Sequence, residues 1–232
     1  MAEGYVNRIA NQPIFNVRRP LWRSDDDQSV LMSESHAKLR QEILQRDNYT
    51  CRYCGFKSAR YQELHQLDNN PENCTKENLV TACNLCRQVF HLGACAMKGS
   101  GFLTVVPELT QTEVNHIARA IYVNELMGIS ENNDKLESLM AIFRYRGSDT
   151  LKQVFEGEVL TVLTLAETLA SKSLLTDQEF ENRAVTFSAF RLFPTKNAFE
   201  IGQLEYYAAN NKNLFTIGSW ASLAEQYLSQ VT

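Results

Sequence analysis

Two short cysteine pairs constrain this chain more than anything else in it. Cys51-x-x-Cys54 and Cys83-x-x-Cys86 each bring two sulfurs within reach of one ion. Together they offer four thiolates, the donor set that suits tetrahedral Zn²⁺. The 28 residues between the pairs exceed the spacing of a minimal zinc ribbon. They leave room for a strand, a turn and the start of a helix. Four protein ligands close the coordination sphere, so the reading is one structural Zn²⁺ on Cys51, Cys54, Cys83 and Cys86. Four buried or disulfide-bonded cysteines are one alternative. An iron–sulfur cluster is another, although its cysteines usually follow a different rhythm. A thioredoxin-like use of one pair needs a βαβ context that this sequence lacks. Cys74 and Cys95 have no close partner and receive no role. A Cys₄–Zn centre carries a net double negative charge. Arg52, Lys57 and Arg87, beside the knuckles, are the candidates to offset it.

Charge narrows the function classes. The chain has 232 residues and a net charge of −4. Residues 1–60 hold 10 Lys and Arg against 7 Asp and Glu; the remainder hold 13 against 20. Nucleic-acid affinity rests on a basic surface and counterion release, and an acidic bulk disfavours both. No stretch approaches the ~20 apolar residues of a membrane span. The first residues lack the apolar core of a secretory signal. The expectation is a soluble cytoplasmic protein with no direct membrane insertion. Clustered cysteines in that compartment favour metal over disulfides.

The pattern divides the chain into three regions. Residues 1–32 read as an N-terminal arm, with Phe15, Leu21 and Trp22 available to dock it. Residues 33–107 read as the zinc-binding unit. Within it, a helix from Ser33 carries Leu39, Ile43 and Leu44 and stops at Asp47–Asn48, and a strand runs from Tyr61 to Leu67. Asp68–Pro71 is a turn, and Thr75–Leu79 is one helical turn. A helix near the second cysteine pair carries Val89, Phe90 and Leu92. Gly93, Gly99 and Gly101 mark a loop, and a strand over Phe102–Val106 ends at Pro107. Residues 108–232 read as a mainly α-helical region. Thr110-x-x-Glu113 and Thr176-x-x-Glu179 are capping boxes. The second leads a helix through Phe180, Ala184, Phe187 and Phe190 to a break at Pro194. Phe199–Ala209 and Ser219–Leu228 are expected to close the chain as helices. The fold class is therefore α+β.

The strings Arg46-Asp47-Asn48-Tyr49-Thr50-Cys51-Arg52-Tyr53-Cys54-Gly55 and Glu77-Asn78-Leu79-Val80-Thr81-Ala82-Cys83-Asn84-Leu85-Cys86 resemble the zinc-containing HNH endonuclease fold. The resemblance covers about residues 36–92 and implies a small ββα unit tied by two knuckles. It also implies a His general base ending the first strand, a metal ligand beside it and a His near the last knuckle. Here the stretch Glu63-Leu64-His65-Gln66-Leu67-Asp68 holds a single histidine, and Arg87 comes directly after the last knuckle. Asn78 keeps the middle position, where its role is to fix the loop. A divergent metal-dependent endonuclease using His65, Asn78 and His91 is the enzymatic alternative. A non-catalytic zinc-finger nucleic-acid binder is the third reading, and charge disfavours both.

A wider match spans nearly the whole chain. It adds Tyr61-Gln62-Glu63, a strand ending Val106-Pro107-Glu108, Phe190-Arg191-Leu192-Phe193-Pro194 and Leu204-Glu205-Tyr206-Tyr207-Ala208-Ala209. With these the chain resembles the IcmJ/DotN family of type IVB (Dot/Icm) secretion systems. The resemblance implies an HNH-like zinc fold without nuclease activity and a place in the coupling complex that collects effector proteins for export. It implies contact with the C-terminal region of the coupling ATPase DotL and with DotM, IcmS and IcmW, and no nucleic-acid partner. It places the chain in the cytoplasm, peripheral to the inner membrane. Phe180, Phe187, Phe190 and Phe193, with Tyr206 and Tyr207, divide between core and an apolar groove for a partner segment.

Overall fold

Apolar residues at positions 39, 43 and 44 give the first helix one buried edge, and that edge starts the core. The computed structural model describes residues 12–17, 34–68, 70, 73–128, 133–154 and 160–210. Helix α1 (Glu34–Arg46) lays Leu39, Ile43 and Leu44 against Leu64 and Leu79 of the first sheet. It stops where Asn48 and Tyr49 take left-handed φ values of 52° and 53°.

Strands β1 (Gln62–Gln66) and β2 (Leu79–Cys83) pair antiparallel, with Gln62 opposite Cys83 and Gln66 opposite Leu79. The turn at Thr75 forms as expected, since Leu79 N–H donates to the Thr75 carbonyl. It leads into β2, a strand that periodicity did not reveal. Every residue of Leu-Val-Thr-Ala-Cys is buried, so the alternation that marks a half-exposed strand is missing. Helix α2 (Asn84–Phe90) continues from it without a break. It ends at His91, and α3 (Leu92–Lys98) begins at once, with Gly93 buried inside it rather than in the expected loop.

Strand β3 (Gly101–Val105) pairs with β4 (Phe190–Pro194), Gly101 opposite Pro194 and Val105 opposite Phe190. Between them in sequence run α4 (Gln111–Met127), α5 (Asn133–Val154), α6 (Val162–Ala170), α7 (Asp177–Glu181) and α8 (Arg183–Thr186). The helix expected through Phe190 is therefore two short helices and a strand. Leu192 and Phe193 point to opposite faces of that strand and enter different cores. Both faces are apolar, which is why the segment carries no strand-like alternation. A 3₁₀ turn (Lys196–Ala198) leads to α9 (Gln203–Asn210). The helix expected at Ser219–Leu228, and Leu21 and Trp22 of the arm, lie outside the described residues.

Both capping boxes form: Thr110 and Thr176 each accept from the N–H three residues on, and Glu113 and Glu179 reach back. Helix α4 is the centre of the fold, touching α2, α5, α9 and β4. Helix α5 crosses β3 closely at Gly147, where a Cβ would stand 2.5 Å from the Leu103 carbonyl oxygen. Phe15 and Val17 of the arm are buried among Val89, Leu92 and Leu169. Asn16 secures them: its N–H donates to the Val89 carbonyl, and its own carbonyl accepts from Leu92 N–H. The architecture is mixed α and β, with two small sheets set among helices.

Candidate metal centre

The first knuckle is a tight loop between Thr50 and Lys57, which bridge antiparallel. Cys51 N–H donates to the Phe56 carbonyl, and Gly55 N–H returns to the Cys51 carbonyl. Gly55 sits at φ 70°, a left-handed turn that a side chain would strain. Gln62 on β1 steadies the loop by donating Nε2–H to the Tyr49 and Phe56 carbonyls. The second knuckle is a strand-to-helix junction. Cys83 ends β2 and caps α2 without using its sulfur as a capping acceptor, and Cys86 lies in the first helical turn.

These two devices gather the sulfurs of Cys51, Cys54, Cys83 and Cys86 within 4.8 Å of one another. Among the described residues this is the one group of His, Cys, Asp and Glu so arranged. The Cys54 and Cys83 sulfurs are 3.7 Å apart. That matches the edge, about 3.8 Å, of a tetrahedron built on Zn–S bonds of about 2.3 Å. The donor set and spacing therefore fit a tetrahedral thiophilic ion such as zinc. Four thiols this close do not ionise independently. Hydrogen bonds from Cys51, Cys83 and Cys86 hold Cys54 well below the usual thiol range. Cys83 and Cys86 rise well above it, because they share their protons with Cys51 and Cys54 and are buried. Ionising all four needs a cation among them.

The charge around the sulfurs comes from a place the sequence did not suggest. Arg52 and Lys57 are exposed. Arg87 is buried, but it pairs with Glu63 at 3.3 Å and donates to the Leu64 carbonyl. The groups on the sulfurs are instead on α4. Arg119, with 0% of its surface exposed, donates Nη2–H to Cys83 Sγ at 3.4 Å. Its guanidinium lies 3.8 Å over the Phe56 ring. Burial alone would disfavour its charge, but the Cys83 and Cys54 sulfurs reverse that and hold it above its ordinary value. Asn115 donates Nδ2–H to Cys86 Sγ at 3.3 Å, with its Oδ1 held by Gln111 Nε2–H at 3.0 Å. Gln111, Asn115 and Arg119 recur every four residues, a buried polar stripe beside the apolar positions Val114, Ala118 and Ile121. That spacing was the available signal.

The residues of the enzymatic alternative do not form an open site. His65 is 1% exposed, stacked 4.3 Å from Phe90 and edge-on to Tyr53 at 5.8 Å. His91 is equally buried, its ring 6.0 Å from that of His65. Asn78 fixes the loop: it donates to Asp68 Oδ1 and the Asn73 carbonyl and accepts from Asp68 N–H. Cys74 lies half-buried beside the α1 cluster. Cys95 is buried in the core with Leu92 and Leu103, and burial pushes its thiol up to about 11. Both stand apart from the four-sulfur group.

Two of the aromatics set aside for a groove, Phe187 and Phe190, line a cleft. It has a volume of about 530 Å³ and runs between the arm and the segment that leads into β4, with Pro13, Phe15 and Leu109 also in its lining. Phe193 and Tyr207 are core instead. Among the described residues no helix is long and apolar enough to cross a membrane.

No protein-family model matches the sequence. A curated relative does. The chain is 30% identical over 181 residues to the type 4 apparatus protein DotN of Legionella pneumophila, covering 77% of this chain and 82% of that protein.

Proposed function

The chain belongs to the DotN/IcmJ family of Dot/Icm secretion systems, and from that membership we propose that it is a non-catalytic, zinc-stabilised subunit of the type IVB coupling complex. In this reading it binds the C-terminal region of the coupling ATPase DotL, sits beside DotM, IcmS and IcmW, and supports recruitment of effector proteins for export. Its place is the cytoplasm, peripheral to the inner membrane. The observation that carries the proposal is the similarity to a secretion-apparatus protein over most of both chains.

The site supports a structural role for the metal. Zn²⁺ on Cys51, Cys54, Cys83 and Cys86 would crosslink the loop before β1 to the β2–α2 junction, and its binding energy would be folding energy. The order β1, β2, α2, with a knuckle before β1 and another at the β2–α2 junction, supports an HNH-like ββα unit. The burial of His65 and His91 supports a scaffold without a nuclease centre, since a general base must reach a water molecule. The cleft, where Phe187 and Phe190 stand beside Glu108, Arg183 and Arg191, supports docking of an ATPase segment with both apolar and charged groups.

The test is coexpression with the cytoplasmic C-terminal tail of the ATPase, then size exclusion at micromolar concentration. Coelution is the expected result, and separate elution sinks the proposal.

A further inference from the structure

A fully buried guanidinium needs an anion, because burying an unpaired charge is costly. Arg119 contacts no carboxylate within ion-pair distance among the described residues. Its Nη2–H goes to Cys83 Sγ, its Nη1–H goes to His116 Nδ1 at 3.1 Å, and its Nε–H has no hydrogen-bond partner. Its other neighbour is the face of Phe56. The negative charge that compensates it is therefore the sulfur cluster itself. The complement holds as well: the cations that lie near the knuckles in sequence are exposed or paired elsewhere.

We propose that Arg119, seconded by Asn115, is the retaining group of the four-cysteine centre: it compensates the charge of a bound divalent ion and locks the second knuckle from outside the coordination sphere. The inference rests on the zinc reading above and adds to it a helix that supplies no ligand. The geometry carries it further than one contact. Arginine only donates, so His116 Nδ1 accepts, and the remaining His116 proton sits on Nε2. That Nε2–H donates to the Cys54 carbonyl at 2.9 Å. One side chain thus reaches Cys83 directly and the first knuckle through His116. Asn115 covers Cys86, and its orientation is fixed by Gln111. Gln111 in turn is anchored to both backbone groups of Leu192, at 2.7 and 2.9 Å. Metal, α4 and β4 form one connected network. Hydrogen bonds to metal-bound sulfur lower its basicity and its reactivity toward protons and electrophiles. Partners of this kind typically change metal affinity about 10- to 100-fold when removed.

The experiment loads the full chain with zinc and monitors metal release to a chromophoric chelator, alongside the ultraviolet thiolate-to-cobalt band of cobalt-loaded protein. Arg119→Met is expected to release zinc about 10-fold faster or more while still binding one ion. A folded Arg119→Met protein that releases zinc at the wild-type rate overturns the proposal. If Arg119→Met does not fold, Arg119→Lys carries the test. It keeps the charge but loses the planar fork that reaches sulfur and His116 together. Release about 3-fold faster or more supports the assignment, and unchanged release with an unchanged cobalt band overturns it. Wild-type protein that binds neither zinc nor cobalt overturns the zinc reading, and this inference with it. Failure of this inference alone shows instead as a normal wild-type site that is indifferent to residue 119.

Discussion

The side-chain amides of Asn84 and Gln203 face each other and exchange hydrogen bonds at 3.1 and 3.2 Å. Asn84 sits directly after Cys83 in the second knuckle and also donates to the Ala198 carbonyl. Gln203 opens α9, is fully buried, and passes a further hydrogen bond to the Tyr207 hydroxyl at 2.7 Å. The pair fastens the end of the described chain to the four-cysteine cluster. Asn84→Ala leaves a buried amide without its partner, so a loss of about 1–3 kcal/mol in denaturant unfolding is expected. The double variant with Gln203→Ala should lose less than the sum of the two single variants. Strict additivity in that cycle would show that the pair does not act as a unit.

The four-cysteine centre makes a second prediction. Elemental analysis should find one zinc per chain. Cys83→Ser should lower both metal content and protease resistance, because the lost sulfur is one of the four donors and its residue joins β2 to α2. A Cys83→Ser protein as resistant as wild type, or a wild-type protein free of metal, argues against a structural zinc.

Much of this was legible in the chain. Two pairs at C-x-x-C spacing pointed to the four-sulfur cluster, because metal geometry dictates residue type and separation together. The capping boxes at Thr110 and Thr176 were legible because a helix start is a local event within four residues. Segments buried on both faces were not. β2 and β4 lack alternation, so hydrophobic period alone could not separate them from helix. Nor was Arg119 found, although its stripe with Gln111 and Asn115 stood in plain spacing. A polar stripe says that something polar faces it, and only the packing of α4 on α2 says that the something is sulfur.

A third prediction concerns chemistry at His65. Its ring is held between Phe90 and Tyr53 and works as core packing. His65→Ala should cost about 1–3 kcal/mol of stability through lost aromatic contact and the cavity left behind. Plasmid nicking in Mg²⁺ or Mn²⁺ should be absent in wild type and unaltered by the substitution. Nicking that disappears with His65→Ala would restore the endonuclease reading.

The last prediction is a pH dependence at the end of α1. Asp47 Oδ2 accepts from Thr81 N–H at 2.8 Å, and Arg46 Nε–H donates to Oδ1 at 2.7 Å. Thr81 is the middle residue of β2, so this carboxylate pins the helix end to the outer edge of the sheet. Partial burial raises the carboxyl. The Arg46 and Thr81 hydrogen bonds outweigh that and hold it below its ordinary value of 3.8. A carboxyl lowered in the folded state stabilises the fold at pH values above its unfolded pKa, and the gain is lost as pH falls through the lowered native value. Asp47→Asn keeps an acceptor for Thr81 but removes the charge. The variant should be less stable than wild type by about 1–2 kcal/mol at neutral pH. The gap should narrow progressively as pH drops below about 4. The measurement is the difference between the two unfolding curves at each pH, so metal loss on acidification, common to both proteins, cancels. A gap that stays constant or widens toward low pH would show that the Asp47 charge contributes nothing to holding α1 on β2.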